Sequence, residues 1–106
     1  MTGDTRSYPD AMELAFRGQV IHWRGPAPFC FVPVPDAEAA ALRAASPLVS
    51  YGWGCIPVTV RLGRTTFTTS LFPKDGGYLV PIKAAVQRAE AVELGDVVDL
   101  ALLVDV

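Results

Sequence analysis

The chain has 106 residues, of which 51% are hydrophobic, and a formal net charge of -2. This length supports one domain with a single hydrophobic core. Pro, Gly or charged residues interrupt every apolar run well before the ~20 residues that a membrane helix needs, so we expect a globular protein and not a membrane-spanning one. The charge gives no reason to expect a nucleic-acid partner, because affinity for phosphate backbones comes mainly from Lys and Arg.

The polar start of the chain, residues 1–12, predicts a flexible arm ahead of a single domain over residues 13–106. The arm lacks the apolar core of a secretion signal, which favours a cytoplasmic protein. Cys30 and Cys55 are too few for a disulfide framework and lie among apolar residues, so we expect both to be reduced and structural.

The first half of the chain predicts two strands and a helix. Residues 13–23 alternate between apolar and polar, with Gly18 marking a bulge or a tight bend. A second, aromatic strand follows over residues 27–34. Asp36 is a good N-cap for an Ala-rich helix. That helix is expected to end before Ser46-Pro47, because the residue before a proline disfavours helical geometry.

The second half predicts a hairpin, a short helix and a closing strand. Gly63-Arg64 separates two β-rich runs, and a two-residue loop with glycine first suits a type II′ turn. A strand ending near Pro81 then leads to a helix whose apolar face contains Ile82, Ala85, Val86 and Ala89. After a Gly-Asp turn, residues 97–105 alternate with period two. The predicted fold is mainly β: a small closed or partly closed barrel of about six strands with one or two short capping helices.

No stretch of the chain amounts to a catalytic motif, and we predict no catalytic residue, no metal site and no cofactor. His22 is the only histidine, and the cysteines are too scattered to complete a zinc site with it. One group of arginines, threonines and aromatics around the hairpin remains, and a barrel mouth there could hold a ligand. The predicted ligand-binding residues are Trp53, Arg61, Arg64, Thr66, Thr68 and Lys83. The alternative is that the threonines form a solvated outer face.

Four segments in order resemble the bacterial DUF1905 family, a small domain of unknown function. They are FxGxV from Phe16, FVPVP from Phe31, VTVRLGRTTFTTSLFPKDGGYLVPIK from Val58 and GDVVDLALLVD from Gly95, and the resemblance covers about residues 13 to 105. It implies a small closed β-barrel with one or two helices. It implies no established activity and no functional residues.

One further resemblance lies in the order of elements near the end of the chain: strand, proline, short helix, Gly-Asp and strand. This order resembles that of the swapped-hairpin transcription regulators and antitoxins, which bind DNA as dimers. That alternative requires Arg61, Arg64, Lys83 and Arg88 to form one basic patch. The preferred hypothesis is a non-enzymatic barrel that binds a small molecule or a protein partner. An enzyme would need a buried titratable group with a perturbed pKa in a cleft. The apolar composition leaves a homodimer open.

Overall fold

A computed structural model describes residues 11–23, 29–49 and 54–105. The described chain forms one seven-stranded sheet in the order β1-β7-β4-β5-β6-β3-β2, with all neighbouring strands antiparallel. The sheet curls into a half-barrel with two short helices, which confirms the predicted fold class. The elements are β1 (Ala11–Gln19), β2 (Ile21–Trp23), β3 (Phe29–Pro33), α1 (Asp36–Val49), β4 (Ile56–Leu62), β5 (Thr65–Lys74), β6 (Gly77–Ile82), α2 (Ala84–Ala89) and β7 (Val97–Asp105).

The predicted first strand is broken in two at Val20. This single buried residue separates β1 from β2, yet the two strands lie at opposite edges of the sheet. The Val20 N–H donates to the carbonyl of Asp96 at 2.8 Å, and the Gly95 N–H donates to the carbonyl of Val20 at 2.8 Å. Because one short length of chain occupies both edges, the sheet has to curl back on itself.

Strand β5 divides the sheet into two halves, because its two ends pair with different neighbours. Residues 65–71 pair with β4, whereas residues 72–74 pair with β6. Half-sheet A therefore contains β1, β7, β4 and the start of β5, and half-sheet B contains the end of β5 with β6, β3 and β2. A sheet can turn a corner where one of its strands passes from one half to the other. The β4–β5 loop is Gly63-Arg64 with φ of 61° at Gly63, as the predicted type II′ turn requires.

The interior of the half-barrel is filled by hydrophobic side chains. Along β7, Leu100, Leu102 and Val104 are buried, while Leu103 between them is exposed, which confirms the predicted period of two. In the described part of the chain, every buried side chain is hydrophobic. The fully buried side chains with the largest volumes are Leu42, Ile56, Leu71, Ile82, Leu102, Val20, Val32, Val60, Val80 and Val104.

Both helices differ from the sequence prediction. Helix α1 continues to Val49 and includes Ser46 and Pro47, where we expected it to end. A proline in the last turn removes only one intrahelical hydrogen bond, the one its missing N–H would donate to the carbonyl of Arg43, so one further turn is tolerated. Of the expected apolar face of α2, Ile82 at the end of β6 and Val86 within the helix are buried, whereas Ala85 and Ala89 are exposed.

Polar contacts add to the burial of Val86 in holding α2 in place. Half-buried Gln87 accepts a hydrogen bond from the Cys30 thiol (Sγ to Oε1, 3.6 Å) and donates from Nε2 to the carbonyl of Ile82 at 2.9 Å. Glu90, the C-cap residue, reaches the β4–β5 turn. Its Oε2 accepts from the backbone N–H of Arg64 at 3.2 Å and from the Thr65 hydroxyl at 2.5 Å. The helix is thus tied to β3, β6 and the β4–β5 turn.

Substituting Gly18 tests how tightly β3 packs against the inner face of β1. An added Cβ would lie 2.5 Å from Val32 Cγ1 and 3.2 Å from the carbonyl oxygen of Pro33, closer than side chains approach one another. We expect Gly18→Ala to lower the free energy of unfolding by about 1–3 kcal/mol through overpacking. The control is Gly77→Ala, whose Cβ would be 3.6 Å from the nearest atom. Equal urea midpoints for both variants would refute the close approach.

Removing the Glu90 carboxylate tests the contact between α2 and the β4–β5 turn. Glu90→Ala leaves the Arg64 N–H and the Thr65 hydroxyl without their acceptor, so we expect a loss of about 1–3 kcal/mol in the free energy of unfolding. Glu93→Ala is the charge-matched control, because the Glu93 side chain is exposed. Chemical denaturation of the two variants measures the difference. A Glu90 variant as stable as the Glu93 control would contradict this account.

Candidate functional site

The outer face of half-sheet A carries most of the residues that could bind a partner. Pairing aligns Glu13, Leu103, Thr59 and Thr68 in one row across β1, β7, β4 and β5. The next row contains Ala15, Ala101, Arg61 and Thr66. The neighbouring residues of these strands point into the core, so all eight side chains lie on the side of the sheet away from it.

Two shallow depressions on this face share Thr59 and Leu103, and together we call them the outer groove. Each has a volume of about 230 Å³. Ala101 and Leu103 give the groove an apolar floor, whereas threonine hydroxyls lie along its β4 and β5 side. The first depression is lined by Glu13, Thr59, Arg61, Thr66, Ala101, Leu102 and Leu103, and the second by Pro57, Val58, Thr59, Thr68, Thr69 and Leu103.

Beyond the groove, Arg17 and Asp99 form an ion pair on the same face. They are direct cross-strand partners on β1 and β7, and Arg17 Nε lies 2.9 Å from Asp99 Oδ1. The hydrogen bond from Arg17, and then its positive charge, lower the pKa of Asp99, and the same two effects raise the pKa of Arg17. Both side chains are more than 70% exposed, so water and salt screen the pair and it adds little to stability.

Glu13 and Arg61 lack such a partner. They lie two strands apart, on β1 and β4, with Ala101 and Leu103 of β7 between them. Both side chains are exposed, and neither makes a hydrogen bond or an ion pair with any residue in the described part of the chain. An unpaired guanidinium can bind a carboxylate through two parallel N–H groups. The groove thus offers one cation and one anion across an apolar floor.

Three of the six predicted ligand-binding residues come together in this groove. Arg61 and Thr66 are cross-strand partners, and Thr68 follows two residues later on the same face. Thr66 and Thr68 are exposed on the outer face, not in a barrel mouth. Arg64 lies in the β4–β5 turn and Lys83 at the N-cap of α2. Trp53 lies outside the described residues, and ligand binding by the six stays a prediction.

The sequence prediction missed the half of the groove contributed by β1 and β7. Glu13, Ala101 and Leu103 join Arg61 only through the register of strands that are far apart in the chain. One signal was present: Leu103 is a large apolar residue on the face of β7 that alternation assigns to water, and it is 43% exposed. An exposed apolar residue is informative where it is part of a continuous apolar patch, and here Leu103 adjoins Ala101 in the floor of the groove.

The described residues offer little for chemistry beyond binding. His22 is exposed, and among these residues no three of His, Cys, Asp and Glu lie close enough together to hold a metal ion. Cys30 and Cys55 are half-buried, and the thiol of each is free. Neither described helix has the length and apolarity that crossing a membrane requires.

Comparison with known proteins agrees with the resemblance of the four sequence segments. No curated protein matches the chain. A family model described as "Domain of unknown function (DUF1905)" matches residues 16–102, which extend from the middle of β1 to the middle of β7. The match includes both half-sheets, both helices and most of the outer groove, and it covers most of the chain. The chain therefore belongs to the DUF1905 family.

Proposed function

We propose that this protein is a non-enzymatic binding domain that recognises a protein partner through the outer groove. The observation that carries the proposal is Leu103, which is 43% exposed at the centre of a sheet face between the unpaired charges of Glu13 and Arg61. Protein interfaces commonly have an apolar centre with a polar and charged rim. The outer groove has this arrangement.

The dimensions of the molecule favour a protein partner over a small molecule. Hydrophobic side chains fill the interior of the half-barrel, so the binding surface has to be sought outside. Each depression of the outer groove measures about 230 Å³. Pockets that enclose small ligands typically have about 300–1,000 Å³ and bury most of the ligand surface. A shallow, wide groove suits a partner that covers the whole sheet face.

The positions of the basic residues favour a protein partner over a nucleic acid. Arg61 shares its depression with Glu13, and Arg88 lines a separate depression with Glu93. Arg64 lies beside Glu90, whose carboxylate binds its backbone N–H. Nucleic-acid affinity requires several cations acting on successive phosphates, and nearby carboxylates oppose it. Mixed charges of this kind suit the complementary charges of a protein surface.

A photo-crosslinking amino acid at position 103 tests the proposal in the cells that produce the protein. We expect Leu103 replaced by benzoylphenylalanine to give a discrete covalent adduct after irradiation. The matched control is the same replacement at Leu94, a leucine outside the groove that is 61% exposed. No adduct at position 103, or equal adducts at both positions, would contradict the proposed binding surface.

A further inference from the structure

We infer that the partner is a second copy of this chain, which binds so that Arg61 of each copy meets Glu13 of the other. This inference rests on the proposed function of the outer groove and identifies its partner. Glu13 and Arg61 have opposite charges, lie on one face and make no hydrogen bond or ion pair with the rest of the described chain. A surface that carries both members of an ion pair, unpaired, can complement itself.

The strand register keeps Glu13 and Arg61 from being direct cross-strand partners within one chain. Directly opposed residues on neighbouring antiparallel strands have Cβ atoms roughly 5 Å apart, which allows Arg17 and Asp99 to pair. Glu13 and Arg61 are separated by two strand spacings, roughly 10 Å, and by two residues along the strands. At these two register positions, β7 presents Ala101 and Leu103 between them, while Asp99, further along the same face, is paired with Arg17.

The same register places the two-fold axis. In a symmetric dimer, both copies use the same patch. The two-fold axis therefore lies in the plane of the interface and places Arg61 of one copy opposite Glu13 of the other. The midpoint between these residues falls over β7, between Ala101 and Leu103. An axis there forms the ion pair twice, once on each side. It also brings the two exposed Leu103 side chains together at the centre of the interface, where they are buried away from water.

The composition of the face suits contact with a copy of itself. Close to the axis lie small or apolar residues, Ala101, Leu103 and Thr59, so two such sheets can approach without burying an unpaired charge. Thr66 and Thr68 provide hydroxyls that both donate and accept hydrogen bonds, so identical surfaces can satisfy each other. The Arg17–Asp99 pair is already neutralised within each chain and stays exposed at the edge.

The size of the face sets the strength of the dimer. Four strands about 4.8 Å apart and about seven residues long give a face of roughly 19 by 24 Å, or roughly 450 Å² in projection. Stable complexes bury about 800 Å² per partner. We therefore expect a weak dimer whose population changes with concentration in the micromolar range, and in which the two ion pairs form a large share of the specificity.

Sedimentation equilibrium of the purified full chain, from about 1 to 500 μM, tests the inference. We expect the wild type to dimerise and the single reversals, Glu13→Arg and Arg61→Glu, to raise the dissociation constant about tenfold or more, because each places like charges together twice. The double variant that carries both reversals restores opposite charges at both positions, so we expect it to dimerise again. Lys83→Glu, exposed and outside the groove, is the control and should behave as the wild type.

The outcomes separate this inference from the proposed function. A wild type that stays monomeric throughout the range overturns the inference, and so does a double reversal that dimerises no better than the single ones. A crosslink from position 103 to a different protein would overturn the second copy as partner but support the groove as a binding surface. Far-ultraviolet circular dichroism of each variant verifies the fold, since all the changed side chains are exposed.

Discussion

The passage of the chain through Val20, from one edge of the sheet to the other, determines the shape of this domain. Two backbone hydrogen bonds, with Asp96 and Gly95, hold Val20 between β1 and β2, and those strands form opposite edges of the sheet. The sheet can satisfy this constraint only by curling around its own hydrophobic side chains. Gly18, two residues earlier, completes the bend because it has no Cβ to keep Val32 of β3 at a distance.

This closure decides where a partner can bind. The described inward positions are hydrophobic and pack into a core, so we place the proposed binding surface on the outside. The polar contacts of α2 fasten that helix to neighbouring strands through Gln87 and Glu90. Half-sheet A remains, with its outer face open to water. On that face, one ion pair is complete, and two opposite charges, Glu13 and Arg61, have no partner among the residues that the structure describes.

Local patterns in the sequence predicted much of the fold and drew attention to three residues that line the groove, Arg61, Thr66 and Thr68. Alternation along β7 and the Gly63-Arg64 turn depend on nearest neighbours, so they could be predicted correctly. The position of Glu13 beside Arg61 depends on the pairing of β1 with β7 and of β7 with β4, which no local pattern encodes. For the same reason, the contact of Glu90 with the β4–β5 turn was missed, because it joins residues that are distant in the chain.

The most direct test of the account is nuclear magnetic resonance of the isotope-labelled protein over a series of concentrations. Self-association through the outer groove predicts that the amide signals of Thr59, Ala101 and Leu103 shift progressively as concentration rises. The signals of β3 and β6, on half-sheet B, should stay constant over the same range. Shifts confined to half-sheet B, or spectra that do not change with concentration, would contradict the assignment of the outer groove as the surface where two copies meet.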